Sequence, residues 1–444
     1  MKTRIAYGKS GLEINLPDSL NVTIANPEPE GPLDYPLSSI AGAIDAPIKS
    51  KMLNEIIREK QALLGRDELS ACIVVSDHTR PVPTSLLLPP LLERLELAGI
   101  ATGNITILVG TGLHRASSLA EIDAMIGEDL ASKYKVIIHD SKDKDALEFL
   151  GTSSRETPIW VNKVYLGADI KILTGYVDPH FFAGYAGGRK AIVPGIAGEE
   201  TIAGNHSARN IDSLNARFTV LEGNPIHEDA LEIAKQVGVD FIVNVCLDDQ
   251  HRIVNVAAGD LEAAHDALVE HVRQTAVVHL DDYFDIVIVN NGGYPLDLNL
   301  YQAVKSMNLG ELAVKEGGTI IAVNEARDGF GSDEFKAIIE SESDPDEFTR
   351  KLLEKELRID GQWQVQTLAR AAKRAEILVV GSMPKAAFKN VKLGMKWAES
   401  VEKAVDQAVK KHGKQAKILI LPAGPQLVPC VNESDESTCK AIPR

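Results

Sequence analysis

The chain has 444 residues, of which 44% are hydrophobic and 25% charged, a composition typical of a globular protein with about two or three domains. Its 47 lysines and arginines are outnumbered by 63 aspartates and glutamates, and the net charge of −16 argues against sequence-independent binding to nucleic acid or to an acidic membrane surface. The sequence shows neither a signal-peptide pattern nor an apolar run long enough to span a bilayer, so we expect a cytoplasmic protein.

Strand and helix patterns alternate through the first part of the chain. The apolar run ACIVVSD at 71–77 is typical of a buried parallel strand, and NITILVG, KVIIH and DIKILTG repeat the pattern. Helical periodicity at 84–97 and 118–126 separates these runs. The alternation predicts a doubly wound α/β domain, in which ligands bind beyond the carboxyl ends of the strands.

A second set of α/β patterns begins at FDIVIVNNGG and ends with KILILPAG. We therefore predict an N-terminal α/β domain over 1–277 and a C-terminal α/β domain over 278–422, with mostly parallel sheets in both and a hinge near residue 278. The tail, 423–444, is polar and rich in proline, and one expected course takes it back to the N-terminal domain.

The motif SDHTRPVP at 76–83 directly follows the first buried strand. Asp77 and Thr79 can hydrogen-bond a ligand there, and the forked guanidinium of Arg80 suits a carboxylate or a phosphate. An aspartate at a strand end is equally typical of a helix N-cap beside a solvated arginine. The motif alone leaves both interpretations open.

The central stretch, 178–206, begins DPHFFAGYAGGRK and has the periodicity of neither a strand nor a helix. Gly187 and Gly188 allow left-handed backbone and leave amide groups uncovered, which suits an anion, and Lys190 follows directly. The spacing does not match the phosphate loop of nucleotide hydrolases, and no hydroxyl residue follows the lysine to hold magnesium. The loop therefore predicts an anion site without ATP hydrolysis.

Three histidines lie within these motifs. His114 ends LVGTGLH after a strand, where Arg115 occupies the third glycine position of a dinucleotide-binding fingerprint, so that fingerprint fails. His180 and His206 lack the short spacing of a structural zinc site. A lone histidine beyond a strand is often structural, so a chemical role for each depends on its partners.

A further constellation lies in NLYQAVKSMN, where Tyr301, Gln302 and Lys305 fall on one predicted helix. Tyr301 and Lys305 are four residues apart and share a face, and Gln302 and Lys305 are three apart. A helical lysine is usually solvated. The strand-end loop NGGYPLD that precedes this helix makes a binding role more plausible.

Together, SDHTRP, GTGLHR, DPHFFAGYAGGRK, the NH pair at 205–206 and LYQAVK resemble the nickel-pincer-nucleotide-dependent lactate racemase family. The joint occurrence of five motifs in one order, over nearly the whole chain, is far more specific than any one of them. The resemblance implies a 2-hydroxy acid racemase or epimerase with an active-site cleft between the two α/β domains, the first binding the cofactor and the second closing over the substrate.

The resemblance also implies roles for single residues. It implies a nickel ligand at His206, a lysine that forms a thioamide with the cofactor at Lys190, and an acid and base pair at His114 and His180. The other implied contacts are with the cofactor, at Asp77, Thr79, Arg80, Gly187 and Gly188, and with the substrate, at Arg80, Tyr301, Gln302, Lys305 and the Trp363 of DGQWQ.

The implied cofactor is a pyridinium mononucleotide whose two sulfur-containing arms hold nickel, and separate biosynthesis proteins would supply it. The implied substrate is a small 2-hydroxy acid, lactate or a close analogue. The α-proton of such an acid is weakly acidic, whereas removing hydride avoids a carbanion. That route needs a base, a hydride acceptor and a cation such as Arg80 or Lys305. The sequence leaves open which acid is used, whether Lys190 is covalently linked, and the oligomeric state.

Two functions from other classes fit part of the sequence. A zinc hydrolase would use His114, His180 and His206 but would leave the glycine-rich loop without a purpose. A nucleotide-binding protein without catalysis would explain the loop and leave the paired histidines unused. Nickel and zinc content, with the intact mass of the purified protein, distinguishes the three.

Overall fold

The computed structural model describes residues 1–26, 30–355 and 361–431. The strands in those ranges, numbered in chain order, are β1 Lys2–Ile5, β2 Leu12–Asn15, β3 Asn21–Ile24, β4 Ala71–Ser76, β5 Ile105–Gly110, β6 Lys135–Ile138, β7 Leu147–Thr152, β8 Pro158–Asn162, β9 Ile170–Tyr176, β10 Pro179–His180, β11 Gly184–Tyr185, β12 Phe241–Leu247, β13 Ile253–Gly259, β14 Val277–Leu280, β15 Phe284–Val289, β16 Val314–Val323, β17 Glu376–Val380, β18 Met395–Trp397, β19 Lys417–Leu421 and β20 Val428–Val431.

The α-helices in the same ranges are α1 Pro36–Asp45, α2 Leu53–Leu64, α3 Thr84–Leu97, α4 Leu119–Ile126, α5 Glu128–Lys133, α6 Lys163–Leu166, α7 Glu199–Asn205, α8 Ala208–Ile211, α9 Pro225–Val237, α10 Ala263–Ala276, α11 Leu300–Glu311, α12 Asp333–Ser341, α13 Pro345–Leu353, α14 Gln362–Arg374 and α15 Val401–His412. A short 3-10 helix at Gly188–Ala191 belongs to the central loop.

The first six-stranded sheet has the order β13-β12-β9-β4-β5-β6. Neighbouring strands run parallel from β12 to β6, and β13 pairs antiparallel at the edge. Side chains of β4 alternate between two cores, with Ile73 and Val75 on one face and Cys72 and Val74 on the other. Because helices cover both faces, the strand is a continuous apolar run, as the sequence predicts.

The second six-stranded sheet has the order β18-β17-β16-β15-β19-β3, and every neighbouring pair is parallel. On β15, Ile286 and Ile288 face the core beneath α15, while Val287 and Val289 face the core shared with α11 and α14. The predicted class of two mostly parallel α/β sheets is confirmed.

The N-terminal segment belongs to the second sheet. Strand β3 pairs in parallel with β19 at the sheet edge, and the hairpin of β1 and β2 packs on the same core through Ile5 and Ile14. The sequence-based division assigned 1–277 to one domain and differs from the structure here. Local periodicity identifies a strand, but its partner depends on which distant sheet edge its side chains cover. The division near residue 278 stays a prediction.

The described part of the tail contacts β14 and the edge of the first sheet. Strand β20 pairs in parallel with β14. The side-chain amide of Gln426 donates to the carbonyl oxygen of Asp248, at 3.0 Å, in the turn between β12 and β13. Residues 432–444 of the predicted tail lie outside the described residues.

Helix α14 is absent from the sequence-based prediction. Its buried face combines Val365 and Leu368 with the polar residues Gln364, Gln366 and Thr367. Because polar residues take up much of this buried face, no series of strongly apolar residues identifies the helix in the sequence. The helix packs against α11 and carries Trp363, so the element that carries this predicted site residue was not foreseen.

In the ranges that the structure describes, no helix is both long and apolar enough to cross a membrane.

A tight hairpin of β10 and β11 pairs His180 with Gly184. Gly184 has φ +77°, and a Cβ there would lie 2.2 Å from the carbonyl oxygen of Val220, whereas a Cβ at Gly413, φ +92°, meets nothing within 4 Å. We predict that Gly184→Ala lowers the free energy of unfolding by about 3 kcal/mol or more. The control Gly413→Ala should cost less, about 1 to 3 kcal/mol, through backbone strain alone. Urea denaturation measures both, and equal losses would contradict the steric argument.

Candidate active site

One large cleft lies at the carboxyl edge of the first sheet. The neighbouring parallel strands β9, β4 and β5 end there, and the motifs DPHFF, SDHTRP and TGLH follow them. Residues of α11 and the start of α14 form the facing wall, and the cleft has a volume of about 930 Å³. The cleft therefore collects side chains from both sheets, as the sequence predicts.

The structure brings most of the predicted site residues together. The predicted residues that line the cleft are Asp77, Thr79, Arg80, His114, His180, Gly187, Lys190, His206, Tyr301, Gln302, Lys305 and Trp363. Gly188 is not among the residues that line the cleft. Its amide N–H donates to Asn244 Oδ1 at 2.8 Å, so this donor is already used within the protein. Its predicted role in binding an anion through that amide is not supported by this geometry.

A buried carboxylate orients His114. Asp77 is 3% exposed, and its Oδ2 lies 2.7 Å from His114 Nδ1. Burial favours the neutral carboxyl, but the hydrogen bond and charge of His114, aided by Arg80, hold the pKa of Asp77 below its ordinary value. In the neutral ring, Nδ1–H of His114 donates to the anionic carboxylate, and the lone pair then lies on Nε2.

Asp77 also organises its own turn. Its Oδ1 accepts from the Thr79 hydroxyl at 2.7 Å, and that hydroxyl oxygen accepts from Arg80 Nη1 at 2.9 Å. Helix α3 begins beyond this turn with Pro83 as its N-cap, so the alternative of an aspartate N-cap is wrong. The turn holds the guanidinium of Arg80 against the cleft wall.

His180 has the opposite tautomer. Its Nδ1 accepts from the backbone N–H of Ala183 at 3.2 Å. Burial, followed by the charges of Lys190 and Lys305, holds the pKa of His180 well below its ordinary value, so the ring is neutral. With Nδ1 acting as an acceptor, the ring proton lies on Nε2. In their neutral forms, His114 thus offers a lone pair at Nε2 and His180 offers an N–H donor there.

His206 lies in an aromatic enclosure. Its ring centroid is 4.9 Å from that of Phe182 and 5.2 Å from that of Trp363, both edge-on. Among the described residues, Nδ1 of His206 is buried without a hydrogen-bond partner. Burial, then the charge of Lys190, lowers the pKa of His206 to about 3. A neutral imidazole keeps a lone pair, which is what a metal ligand requires.

Lys190 lies in the cleft with its Nζ 5.7 Å from the centroid of the Phe182 ring. Burial, then the charges of Arg189 and Arg80, lowers its pKa well below the ordinary value. Within the described residues, it has no carboxylate at ion-pair distance. A lysine held as the free amine is a nucleophile able to form a covalent bond.

The wall contributed by α11 has a second cation. Lys305 Nζ donates to Gln302 Oε1 at 2.9 Å, so the amide N–H groups of Gln302 stay available to a ligand. Burial, then the charge of Arg80, lowers the pKa of Lys305 to about 7, and Asp178 acts in the opposite direction. This lysine therefore changes its charge close to neutral pH.

Helix α14 fixes the aromatic part of that wall. Gln364 Nε2 of this helix donates to the Tyr301 carbonyl at 2.5 Å. Tyr301 also packs edge-on against Phe335, with ring centroids 5.6 Å apart. The two helices therefore place Tyr301 and Trp363 on the same wall of the cleft.

Some lining residues escaped the sequence analysis. The rings of Phe181 and Phe182 lie 4.9 and 4.6 Å from that of His180, centroid to centroid. The sequence contained a signal for these two residues, because two consecutive aromatic residues are rarely needed to form a turn in a glycine-rich loop. His78, without a predicted role, also lines the cleft, and its Nδ1 lies 2.9 Å from Ser117 Oγ.

The zinc hydrolase hypothesis finds no ligand cluster. In the described ranges, no three side chains of histidine, cysteine, aspartate or glutamate lie close enough together to hold a metal ion. His114, His180 and His206 line one cleft without forming such a group. A metal at His206 would therefore need donors brought by another molecule.

Two family models match the chain, the lactate racemase N-terminal domain over residues 7–218 and the lactate racemase C-terminal domain over residues 281–428. The chain belongs to the lactate racemase family. The lactate racemase of Thermoanaerobacterium thermosaccharolyticum is 36% identical over 430 residues, which are 96% of this chain and 98% of that protein. The lactate racemase of Lactiplantibacillus plantarum is 37% identical over 388 residues, 87% of this chain and 89% of that protein.

Solved structures agree with this assignment. The lactate racemase apoprotein from Thermoanaerobacterium thermosaccharolyticum has a TM-score of 0.88 and 35% identity, covering 98% of this chain and 100% of that one. A Thermotoga maritima protein, 18% identical with a TM-score of 0.65 over 87% of this chain, shares the fold. The predicted membership of the lactate racemase family is confirmed, and it places the chain among the isomerases.

The contact between Asp77 and His114 generates a prediction about rate. Asp77→Asn removes the negative charge and can donate to Nδ1, which would move the ring proton to Nε2. We expect kcat to fall by about 10²-fold or more, with the protein still folded. The exposed control Asp406→Asn should keep the rate of the unaltered enzyme. Steady-state kinetics of both variants, each carrying the implied cofactor, test this prediction. An unchanged kcat in Asp77→Asn would show that the tautomer of His114 does not affect the rate.

Proposed function

We propose that this chain interconverts the enantiomers of lactate or of a close 2-hydroxy acid, with His114 and His180 as the acid and base. One observation carries the proposal: the two imidazoles are in opposite tautomers at one cleft, one with a free lone pair on Nε2 and the other with a proton there. A racemase that acts on both enantiomers needs a base and an acid in one site, the acid being a protonated ring, and the two rings exchange these roles with the direction of reaction.

The cations of the cleft suit the substrate carboxylate. Arg80 from the first sheet and Lys305 from α11 both line it, and the two lie close enough for their charges to interact. A carboxylate between them would offset that repulsion and receive charge-assisted hydrogen bonds. Tyr301, Gln302 and Trp363 complete this side and leave room for a small side chain on the acid.

We infer that the cofactor is the nickel-pincer nucleotide, and the residues present fit it. The neutral imidazole of His206 supplies one ligand in a place without other protein donors, and the free amine of Lys190 can bond covalently to one arm of the cofactor. Asp77, Thr79, Arg80 and Gly187 line the same wall and would contact the nucleotide. When bound, the cofactor would supply a reversible acceptor for the hydride at C2 of the substrate.

The protein itself would position the substrate and the cofactor, accept and donate protons, and exclude water. Both walls come from rigid elements, and a substrate lying between them would be withdrawn from solvent, which strengthens its contacts with Arg80 and Lys305. In one direction Nε2 of His114 would take the hydroxyl proton while the imidazolium of His180 returns a proton from its Nε2 to the product hydroxyl, and the two rings would exchange these roles in the other direction. Separate biosynthesis proteins are the proposed source of the cofactor.

The proposed acid and base pair predicts that each histidine is needed for both directions of the reaction. In protein loaded with cofactor, His114→Ala and His180→Ala should each reduce racemisation of L-lactate and of D-lactate by about 10³-fold, because every turnover uses both rings. Nickel should remain bound in both variants and be lost from His206→Ala. A chiral assay of lactate and elemental analysis measure these effects.

The turn histidine His251 provides a matched control, and His251→Ala should keep the rate of the unaltered enzyme. Unchanged turnover in either active-site variant would remove that histidine from the proposed reaction. Loss of nickel from one of them would reassign it as a ligand. Absence of lactate racemisation in fully loaded protein would reject the proposed substrate.

The pKa of Lys305, about 7, gives a pH dependence. The lysine is a cation below that pH and loses its charge as the pH rises through it, so kcat/KM for lactate should fall by about tenfold between pH 6 and pH 8.5. Lys305→Arg keeps the cation and should flatten this decline, whereas Lys305→Met should be low throughout. The same decline in Lys305→Arg as in the unaltered enzyme would assign the titration to another group.

A further inference from the structure

A buried arginine holds the backbone of the glycine-rich loop that carries His180 and Lys190. Arg189 is 1% exposed, and its Nη2 donates to the carbonyl oxygen of Ala183 at 2.7 Å. Its Nη1 donates to the carbonyl oxygen of Gly187 at 3.4 Å. One guanidinium thereby joins the two ends of the loop between His180 and Lys190.

His265 of α10 binds the middle of the same loop. It is 3% exposed, and its Nε2 lies 2.8 Å from the carbonyl oxygen of Ala186 and 3.3 Å from Arg189 Nη1. Burial, then the charge of Arg189, lowers the pKa of His265 to about 3, so the ring is neutral and the shorter contact identifies Nε2 as the donor. The ring also fills the space behind Gly188, where a Cβ would lie 3.0 Å from it.

The buried charge of Arg189 is unfavourable for the stability of the fold, which indicates a functional role for this residue. In the described ranges, Arg189 has no carboxylate at ion-pair distance, and its Nε is buried without a hydrogen-bond partner. A buried, unpaired cation destabilises a fold compared with an apolar residue of similar size. Stability alone would therefore favour a different side chain at this position.

Arg189 and His265 bind carbonyl groups of the loop and each other, and neither is among the residues that line the cleft. His180 and Lys190 line the cleft itself. After burial, the charge of Arg189 has the largest effect on the Lys190 amine, followed by Arg80 from the turn after β4 and Lys305 from α11.

We propose that Arg189 and His265 are positioning residues, which fix the backbone of the loop so that Lys190 faces the cofactor and His180 faces the substrate. The buried charge of Arg189, on the residue next to Lys190, adds to burial in disfavouring the protonated amine and so keeps it ready to form its bond. This inference rests on the proposed cofactor site at Lys190. Neither residue touches the substrate, so their effect is on geometry and on the reactivity of the amine.

The test for Arg189 uses the full-length apoprotein and acetic anhydride as the probe, with acetylation of each lysine followed by peptide mass spectrometry over a range of pH. Arg189→Met should raise the pH of half-maximal acetylation of Lys190 and slow its acetylation at pH 7 by about tenfold, the effect of one pH unit. Arg189→Lys, which keeps the charge, should restore the profile. Exposed Lys410 in the same digest is the internal reference.

The test for His265 compares two variants of the loaded enzyme. His265→Leu removes the donor to Ala186 and should lower kcat by about tenfold while KM for lactate changes by less than about twofold, because the substrate cations are untouched. His265→Gln supplies an amide N–H at similar reach and should recover most of kcat. A purely structural role would reduce the yield of folded enzyme without separating kcat from KM.

An unshifted acetylation profile in Arg189→Met overturns the role of its charge, and unaltered kcat in folded His265→Leu overturns the positioning. If Arg189→Met does not fold, Arg189→Gln, which keeps N–H donors and lacks the charge, makes the same measurement. The acetylation result does not need catalysis. A shifted profile in a protein that fails to racemise lactate therefore rejects the proposed function alone, whereas racemisation with an unshifted profile rejects this inference alone.

Discussion

Like charges confined in one cleft are the constraint on which the rest of the site depends. Arg80, Lys190 and Lys305 come from three different elements, and each acts on the charge of another. Burial, reinforced by repulsion, lowers the pKa of both lysines, which leaves Lys190 as a nucleophile and gives Lys305 a pKa of about 7. The same positive field favours anions, and a nucleotide and a 2-hydroxy acid both bring negative charge to it.

The two sheets make this confinement possible. Parallel strands deliver three loops to one edge, and α14 ties the facing wall to the first half of the chain. Gln366 Nε2 donates to the carbonyl of Ala208 at 2.9 Å, and Arg370 Nη1 donates to that of Ala216 at 3.2 Å. Trp363 on the same helix contacts His206, so the placement of the aromatic wall and of the proposed metal ligand are coupled.

Much of this could be predicted from the sequence because it is encoded locally. The buried strand β4 is a continuous apolar run, and the polar residues that follow it, Asp77 to Arg80, had to lie at a strand end. What could not be predicted depends on distant partners. The place of β3 in the second sheet, the polar buried face of α14, and the use of the Gly188 amide by Asn244 are set by tertiary packing that no local pattern records.

The central claim is that the hydrogen on C2 of the substrate moves as hydride while the two histidines move only the hydroxyl proton. The most direct test is racemisation of lactate deuterated at C2 by loaded enzyme in ordinary water, with the isotope content of the product enantiomer measured by mass spectrometry. The account predicts that the product retains deuterium at C2, because a transferred hydride does not exchange with solvent. Loss of deuterium to water in step with racemisation would show that C2 is deprotonated, and would contradict the account.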